Sequence, residues 1–167
     1  MKKEKINQNM NALLWQLLHR SHATVAKVRQ KELEKYDATI RQAGVLRIVV
    51  RIGETVTPTE IAKQLFLESN TITEQLNRME ADGLVRRVKD MDRKNLVRIA
   101  ITKKGHSLFL KIEKQKSIDK IMSTLTEEEK TELWLILAKI RGQAVKELGI
   151  KSKDFYPPSD LADLKLT

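Results

Sequence analysis

The 167-residue chain has no cysteine. Disulfides, cysteine-ligated zinc, a thiolate nucleophile and thiol-based redox sensing are therefore excluded. Proline and glycine are scarce, with three and six residues, and aromatics make up only 4% of the chain. With so few breakers, long stretches are free to be helical, and a hydrophobic content of 41% argues against disorder. No apolar run approaches the ~20 residues that a membrane-spanning helix needs; Leu133 to Ala138 is among the longest. The opening MKKEKINQNMN is basic but turns polar where a secretory signal requires an apolar stretch. A cytoplasmic protein without a membrane partner is expected. A glycine-rich phosphate cradle, a nucleophile with a spaced base and an acidic cluster for divalent metal are also missing, so the chain does not read as an enzyme and no cofactor is expected.

Charge, by contrast, is abundant and one-sided: 32 Lys/Arg against 22 Asp/Glu give a net +10. Such an excess suggests a polyanionic partner, either nucleic acid or an anionic membrane surface, and charge alone does not choose between them. Its distribution is more informative. Residues 86–105, RRVKDMDRKNLVRIAITKKG, hold eight Lys/Arg and two Asp, a net +6. Between Leu84 and Ile101 the apolar period is two, with Leu84, Leu96 and Ile101 marking apolar faces and KDMDRKN forming the turn, which predicts a basic hairpin.

Elsewhere the period is helical, and the helix starts are punctuated. A Ser or Thr followed three residues later by Glu or Gln can satisfy two orphan backbone groups reciprocally. Four such pairs mark the starts of helical periods: Thr39 with Gln42, Thr57 with Glu60, Thr71 with Glu74, and Thr126 with Glu129. They predict a helix ending at Gly53, a short one over 57–65 with Pro58 in its first position, a third running through Ile72, Leu76 and Met79 to Gly83, and a fourth reaching Gly149. Two long flanking helices are expected over about 5–35 and 103–123. The end, with Pro157-Pro158, reads as an irregular tail that packs through Phe155, Tyr156 and Leu161.

Two short helices followed at once by a basic hairpin make a helix-turn-helix with a wing. With Ile72, Leu76 and Met79 facing the core, Ser69, Asn70, Thr71, Thr73, Glu74 and Asn77 are the candidates for reading base edges. Among these side chains Asn suits adenine and Glu suits cytosine. Thr57 and Thr59 at a helix amino end, with Arg78, Arg86, Arg87, Arg93 and Lys94, are candidates for phosphates or the minor groove. An amphipathic helix and a solvated basic turn are each unremarkable alone; their adjacency in this order is what a solvated surface leaves unexplained.

Four stretches carry a resemblance to the MarR family of winged-helix transcription regulators: TPTEIAKQL at 57–65, NTITEQLNRMEADGLVRR at 70–87, KDMDRKNLVRIAITKKG at 89–105 and LTEEEKTELWLIL at 125–137. The likeness covers residues 37–145. It implies a mainly α (α+β) fold of six helices and a small three-stranded sheet, a winged helix-turn-helix with an antiparallel β wing and flanking dimerisation helices. The expected organisation is a dimerisation helix over 1–36, the DNA-binding region over 37–102, dimerisation helices over 103–150 and a tail over 151–167. The resemblance further implies a homodimeric regulator, a repressor by expectation, that binds double-stranded DNA at a pseudo-palindrome and is released by a small-molecule effector. In the wing, Asp90 and Asp92 would pair with Arg86, Arg93 or Lys94 and fix the tip, or take part in polar readout. The chain departs from the family pattern at Glu74, where Arg is frequent, at Arg93-Lys94 in place of Arg-Arg, and at Glu68-Ser69 in place of a small N-cap. Gln75 is expected on the inner edge of its helix, half buried.

His19 and His22, three apart on the first helix, lack nearby carboxylates, so packing or a dimer contact is the better reading than a metal. Trp15, His19 and His22 are the candidates for an effector pocket. A winged-helix module that binds protein or RNA inside a larger assembly is the alternative function.

Overall fold

The computed structural model describes residues 2–53, 55–89, 96–150 and 155–158. They fall into two compact units, Met1–Ile121 and Met122–Thr167. The first holds helix α1 (Lys2–Leu33), a 3-10 turn (Glu34–Tyr36), α2 (Ile40–Ile52), α3 (Pro58–Leu65), α4 (Ser69–Ala81), strands β1 (Val85–Lys89) and β2 (Val97–Ile101), α5 (Lys103–Ile112) and α6, which spans Lys116–Met122. The second holds α7 (Glu127–Glu147). This is the mainly helical, winged architecture that the sequence predicts. No described helix is long and apolar enough to cross a membrane.

Local chemistry explains most helix ends. Thr39 and Thr126 form complete capping boxes with Gln42 and Glu129. Thr57 makes half of one: its hydroxyl accepts from the Glu60 N–H at 3.2 Å, and Pro58 occupies the first turn. The expected Thr71 box is not made. The helix opens two residues earlier, at Ser69, with Glu68 in the N-cap position and no side-chain cap. Thr71 is already inside the first turn, where the backbone is helical and the cap geometry is lost.

One core joins elements of the first unit. Val45, Leu46 and Val49 of α2, Ile61 of α3, Ile72, Leu76 and Met79 of α4, and Val85 and Ile99 of the hairpin are all buried in it. β1 and β2 pair antiparallel with Val85 opposite Ile101 and Arg87 opposite Ile99. Among the described residues the sheet has two strands rather than the three implied by the resemblance. The third position is reduced to one backbone bond, from the Ile99 N–H to the Val56 carbonyl at 2.9 Å.

The helix expected over 103–123 is broken. α5 stops at Ile112, Gln115 takes a left-handed φ of 42°, and α6 begins at Lys116. The cause lies on α1. Buried Arg29 donates to the Ile112 carbonyl, which in a continuous helix would accept from residue 116. Glu32 accepts from the Ser117 N–H at 3.1 Å and from its hydroxyl, and pairs with Arg29 at 2.7 Å. Side chains from α1 thus satisfy the groups that the break exposes. Of the tail, Phe155 is buried and Tyr156 exposed, while Leu161 lies outside the described residues.

Candidate nucleic-acid interface

α4 divides its surface cleanly. Ile72, Gln75, Leu76 and Met79 are buried, whereas Ser69, Asn70, Thr73, Glu74, Asn77 and Arg78 are exposed and Thr71 is half-buried. Gln75 is therefore more deeply buried than its sequence position suggests, at 8% exposure. The exposed set recurs every three to four residues, which puts it on one outer stripe of the helix. A left-handed residue, Phe66 at φ 52°, ends α3, and the link Phe66-Leu67-Glu68 turns the chain into α4. Thr57 is half-buried in its cap and Thr59 is exposed in the first turn of α3.

Several of these side chains engage one another. The Thr73 hydroxyl donates to the Ser69 carbonyl at 2.9 Å, leaving its oxygen to accept. Glu74, the family departure, has a cation one turn away: Arg78 stands 3.5 Å from its carboxylate, both largely exposed. Such a pair contributes little to stability. It does balance a negative charge on a face otherwise suited to a polyanion.

Arg87 is held more firmly. Its backbone N–H donates to Glu80 Oε1 at 2.8 Å, its guanidinium pairs with the other Glu80 oxygen, and Nη2 donates to Asn77 Oδ1 at 2.7 Å. The Arg87 backbone N–H, working against some desolvation and aided by the guanidinium, holds the Glu80 carboxyl below the ordinary carboxylate range. Arg87 thus ties strand β1 to α4, while neighbouring Arg86 is exposed on that strand. Arg93 and Lys94, together with Asp90 and Asp92 and their expected pairings, lie outside the described residues.

Sequence reasoning missed Glu80, and it read Thr102 only as the start of a helix, not as a tie to the α4 turn. Glu80 sits in the last turn of α4, and only the reversal at Gly83 (φ 70°) brings it back against Arg87. The Thr102 hydroxyl accepts from the Gly105 N–H at 3.0 Å and donates to the Gly83 carbonyl at 2.6 Å, locking the exit of the wing onto that turn. The Thr-x-x-Gly spacing was its signal.

Trp15, His19 and His22 are exposed along α1, with the Trp15 and His19 rings 6.1 Å apart. Two shallow clefts, one along the start of α5 near His106 and one between the end of α1 and Ser117, do not include them. Among the described residues, no three His, Asp or Glu side chains gather as a metal site.

Comparison with known proteins places this geometry. Residues 36–97 match the MarR family profile. The chain is 31% identical over 132 residues to the organic hydroperoxide resistance transcriptional regulator of Bacillus subtilis, covering 79% of each protein. It is 27% identical to the HTH-type transcriptional regulator PecS of Dickeya dadantii, covering 77% of this chain and 80% of that one. Among solved structures, an organohalide-sensing RdhR transcriptional regulator bound to 2,4-dichlorophenol superposes with a TM-score of 0.80 at 25% identity, over 89% of both chains. A mutant of MarR from E. coli, complexed with operator DNA, shares the fold with a TM-score of 0.72 at 24% identity, over 79% of this chain and 96% of that one. These relatives are transcriptional regulators rather than enzymes, and with 31% identity across 79% of the Bacillus subtilis regulator and a profile match over residues 36–97, this chain belongs to the MarR family.

Proposed function

We propose that this protein is a cytoplasmic, homodimeric transcriptional repressor that binds a pseudo-palindromic operator in double-stranded DNA. The observation that carries the reading is the division of α4: its inner residues are fixed in the core while Ser69, Asn70, Thr73, Glu74 and Asn77 form an exposed polar stripe beside a basic hairpin. Short polar side chains on a rigid helix suit base edges in the major groove, with Thr71 at the margin of that face. Arg86 and Arg78, the amino end of α3 at Thr57 and Thr59, and Arg93 and Lys94 at the wing tip would hold phosphates or enter the minor groove. In the E. coli relative the same fold was crystallised with operator DNA.

A second copy would cover the apolar residues that two helices leave exposed. On α1 these are Met10, Leu13, Leu14, Trp15 and Leu17, and on α7 Leu135, Ile136 and Ile140, the first helix reaching 65% exposure at Trp15. A two-fold dimer of this kind spaces two reading helices about one DNA turn apart. An effector seated near Trp15, His19 and His22 would release DNA to the extent that it favours a spacing unsuited to the operator. That an organohalide-sensing relative, RdhR, was solved with 2,4-dichlorophenol bound supports a small-molecule effector.

The test is binding of the purified protein to short duplexes from its own promoter region and to scrambled controls, across a salt series, with stoichiometry. One dimer bound selectively per pseudo-palindrome supports the reading. Weak binding without sequence preference overturns it and brings a protein or RNA partner forward.

A further inference from the structure

We propose that Asn77 reads DNA as a hydrogen-bond donor and selects guanine or thymine, because Arg87 captures its carbonyl oxygen. The inference rests on the DNA-binding reading above and specifies what one residue of that interface recognises.

An asparagine amide can ordinarily rotate to offer oxygen and nitrogen together, and in that form it bridges N7 and the N6 amino group of adenine. At Asn77 one of the two lone pairs of that oxygen is already taken and a guanidinium crowds the other. The Asn77 partner at 2.7 Å is Nη2 of Arg87, and a guanidinium has donors only. The atom facing it must be Oδ1, whichever way the amide is drawn, so Nδ2 with its two hydrogens is the end turned away. Arg87 cannot easily follow the amide elsewhere. Its backbone is paired opposite Ile99 in the hairpin, its N–H is bonded to Glu80, and its planar fork is held by the Glu80 carboxylate.

Hydrogen-bond polarity reinforces the geometry. Adenine N6 or cytosine N4 approaching Oδ1 would bring donor hydrogens against the Arg87 N–H groups already bonded there. Guanine O6 and N7, or thymine O4, would bring acceptors toward the free amide hydrogens. Asn77 is the specificity-determining residue here and Arg87 its positioning residue, and the general suitability of asparagine for adenine does not carry over to this position.

The experiment measures duplex affinity of the full-length protein for an operator with each base pair replaced in turn. The pair at which Asn77→Ala loses discrimination is the one Asn77 faces. The expected result is guanine or thymine there, with loss of N7 in 7-deazaguanine, or the weaker sulfur acceptor of 4-thiothymine, weakening wild type roughly fivefold or more and leaving Asn77→Ala unaffected. Arg87→Met should free the oxygen and make adenine acceptable at that pair. Asn77→Asp keeps an oxygen for Arg87 but has no donor, and should lose the guanine or thymine preference without disturbing the hairpin, so the inference stays testable if Arg87→Met does not fold. Adenine at that pair in wild type, with deletion of N7 and of the N6 amino group each weakening binding, would overturn the inference while leaving DNA recognition intact. Absence of any sequence preference in wild type would overturn the DNA reading, and the role of Asn77 with it.

Discussion

A Cβ placed on Gly105 would stand 2.0 Å from the carbonyl oxygen of Leu84. The close approach arises because Thr102 caps α5 while its own N–H donates to that same carbonyl at 3.1 Å, drawing the first turn of the helix onto the end of the α4 turn. Ala is favoured over Gly inside a helix by up to about 1 kcal/mol, but a backbone atom cannot step aside as a side chain can. The clash therefore outweighs propensity. Gly105→Ala is expected to cost about 2–4 kcal/mol, measurable as a lowered Tm at fixed protein concentration, whereas Gly142→Ala, where nothing lies within 4 Å, should leave Tm unchanged or slightly raised.

The start of α4 offers the opposite sign. Glu68 is the N-cap residue and its side chain makes no cap bond, while Thr39 accepts from the Gln42 N–H at 3.1 Å at the start of α2. Glu68→Ser or Glu68→Asp should stabilise by roughly 0.5–1 kcal/mol, and Thr39→Ala should destabilise by about 1 kcal/mol. Thr71→Ala should change stability little, since Thr71 caps nothing. Denaturant midpoints of the variants would order these cases.

These contrasts show which parts of the fold the sequence discloses. Thr39, Thr57 and Thr126 act on residues three positions away, so their helix starts can be read locally, as can the inward stripe of Ile72, Leu76 and Met79. The stop after Ile112 cannot. It is made by Arg29 and Glu32, more than eighty residues distant, and nothing between Ile112 and Lys116 other than packing forces the chain to stop. The candidate interface divides the same way. The exposed stripe of α4 follows from helical period, but which basic residues are engaged internally depends on the hairpin register, and Arg86 and Arg87 are indistinguishable in sequence.

The Arg29–Glu32–Ser117 cluster predicts a pH dependence. Burial alone would raise the Glu32 carboxyl, but hydrogen bonds from Ser117 and Arg29 and the Arg29 charge outweigh it and hold the group below its ordinary value of 4.5. A carboxyl depressed in the folded state binds fewer protons there than when unfolded, so its contribution is fully present above about 4.5 and is lost as pH falls through the folded value. Glu32→Gln should be less stable than wild type near neutral pH and should show a shallower loss between roughly pH 5 and pH 3. Arg29→Met should be worse still, by about 3 kcal/mol, because it strips the Ile112 carbonyl of its donor as well as Glu32 of its cation. Equal slopes for wild type and Glu32→Gln would remove Glu32 from the account.

Arg86 and Arg87 separate binding from architecture. Arg86 is exposed with Ala100 opposite it, so its removal disturbs no hydrogen bond or ion pair among the described residues. If it meets a phosphate, Arg86→Ala should weaken DNA binding similarly across operator variants and reduce the slope of log affinity against log salt by about 0.9 for each phosphate the side chain neutralises, with Tm unchanged. Arg87 carries the same formal charge but bonds to Glu80 and Asn77. Its substitution by Ala should lower Tm and relax base preference on the α4 side, with a smaller change in salt slope, because its charge is already balanced by Glu80. Two adjacent arginines that gave the same slope change and the same Tm would mean that both face the phosphates and that the Arg87 bracket does not persist in the DNA complex.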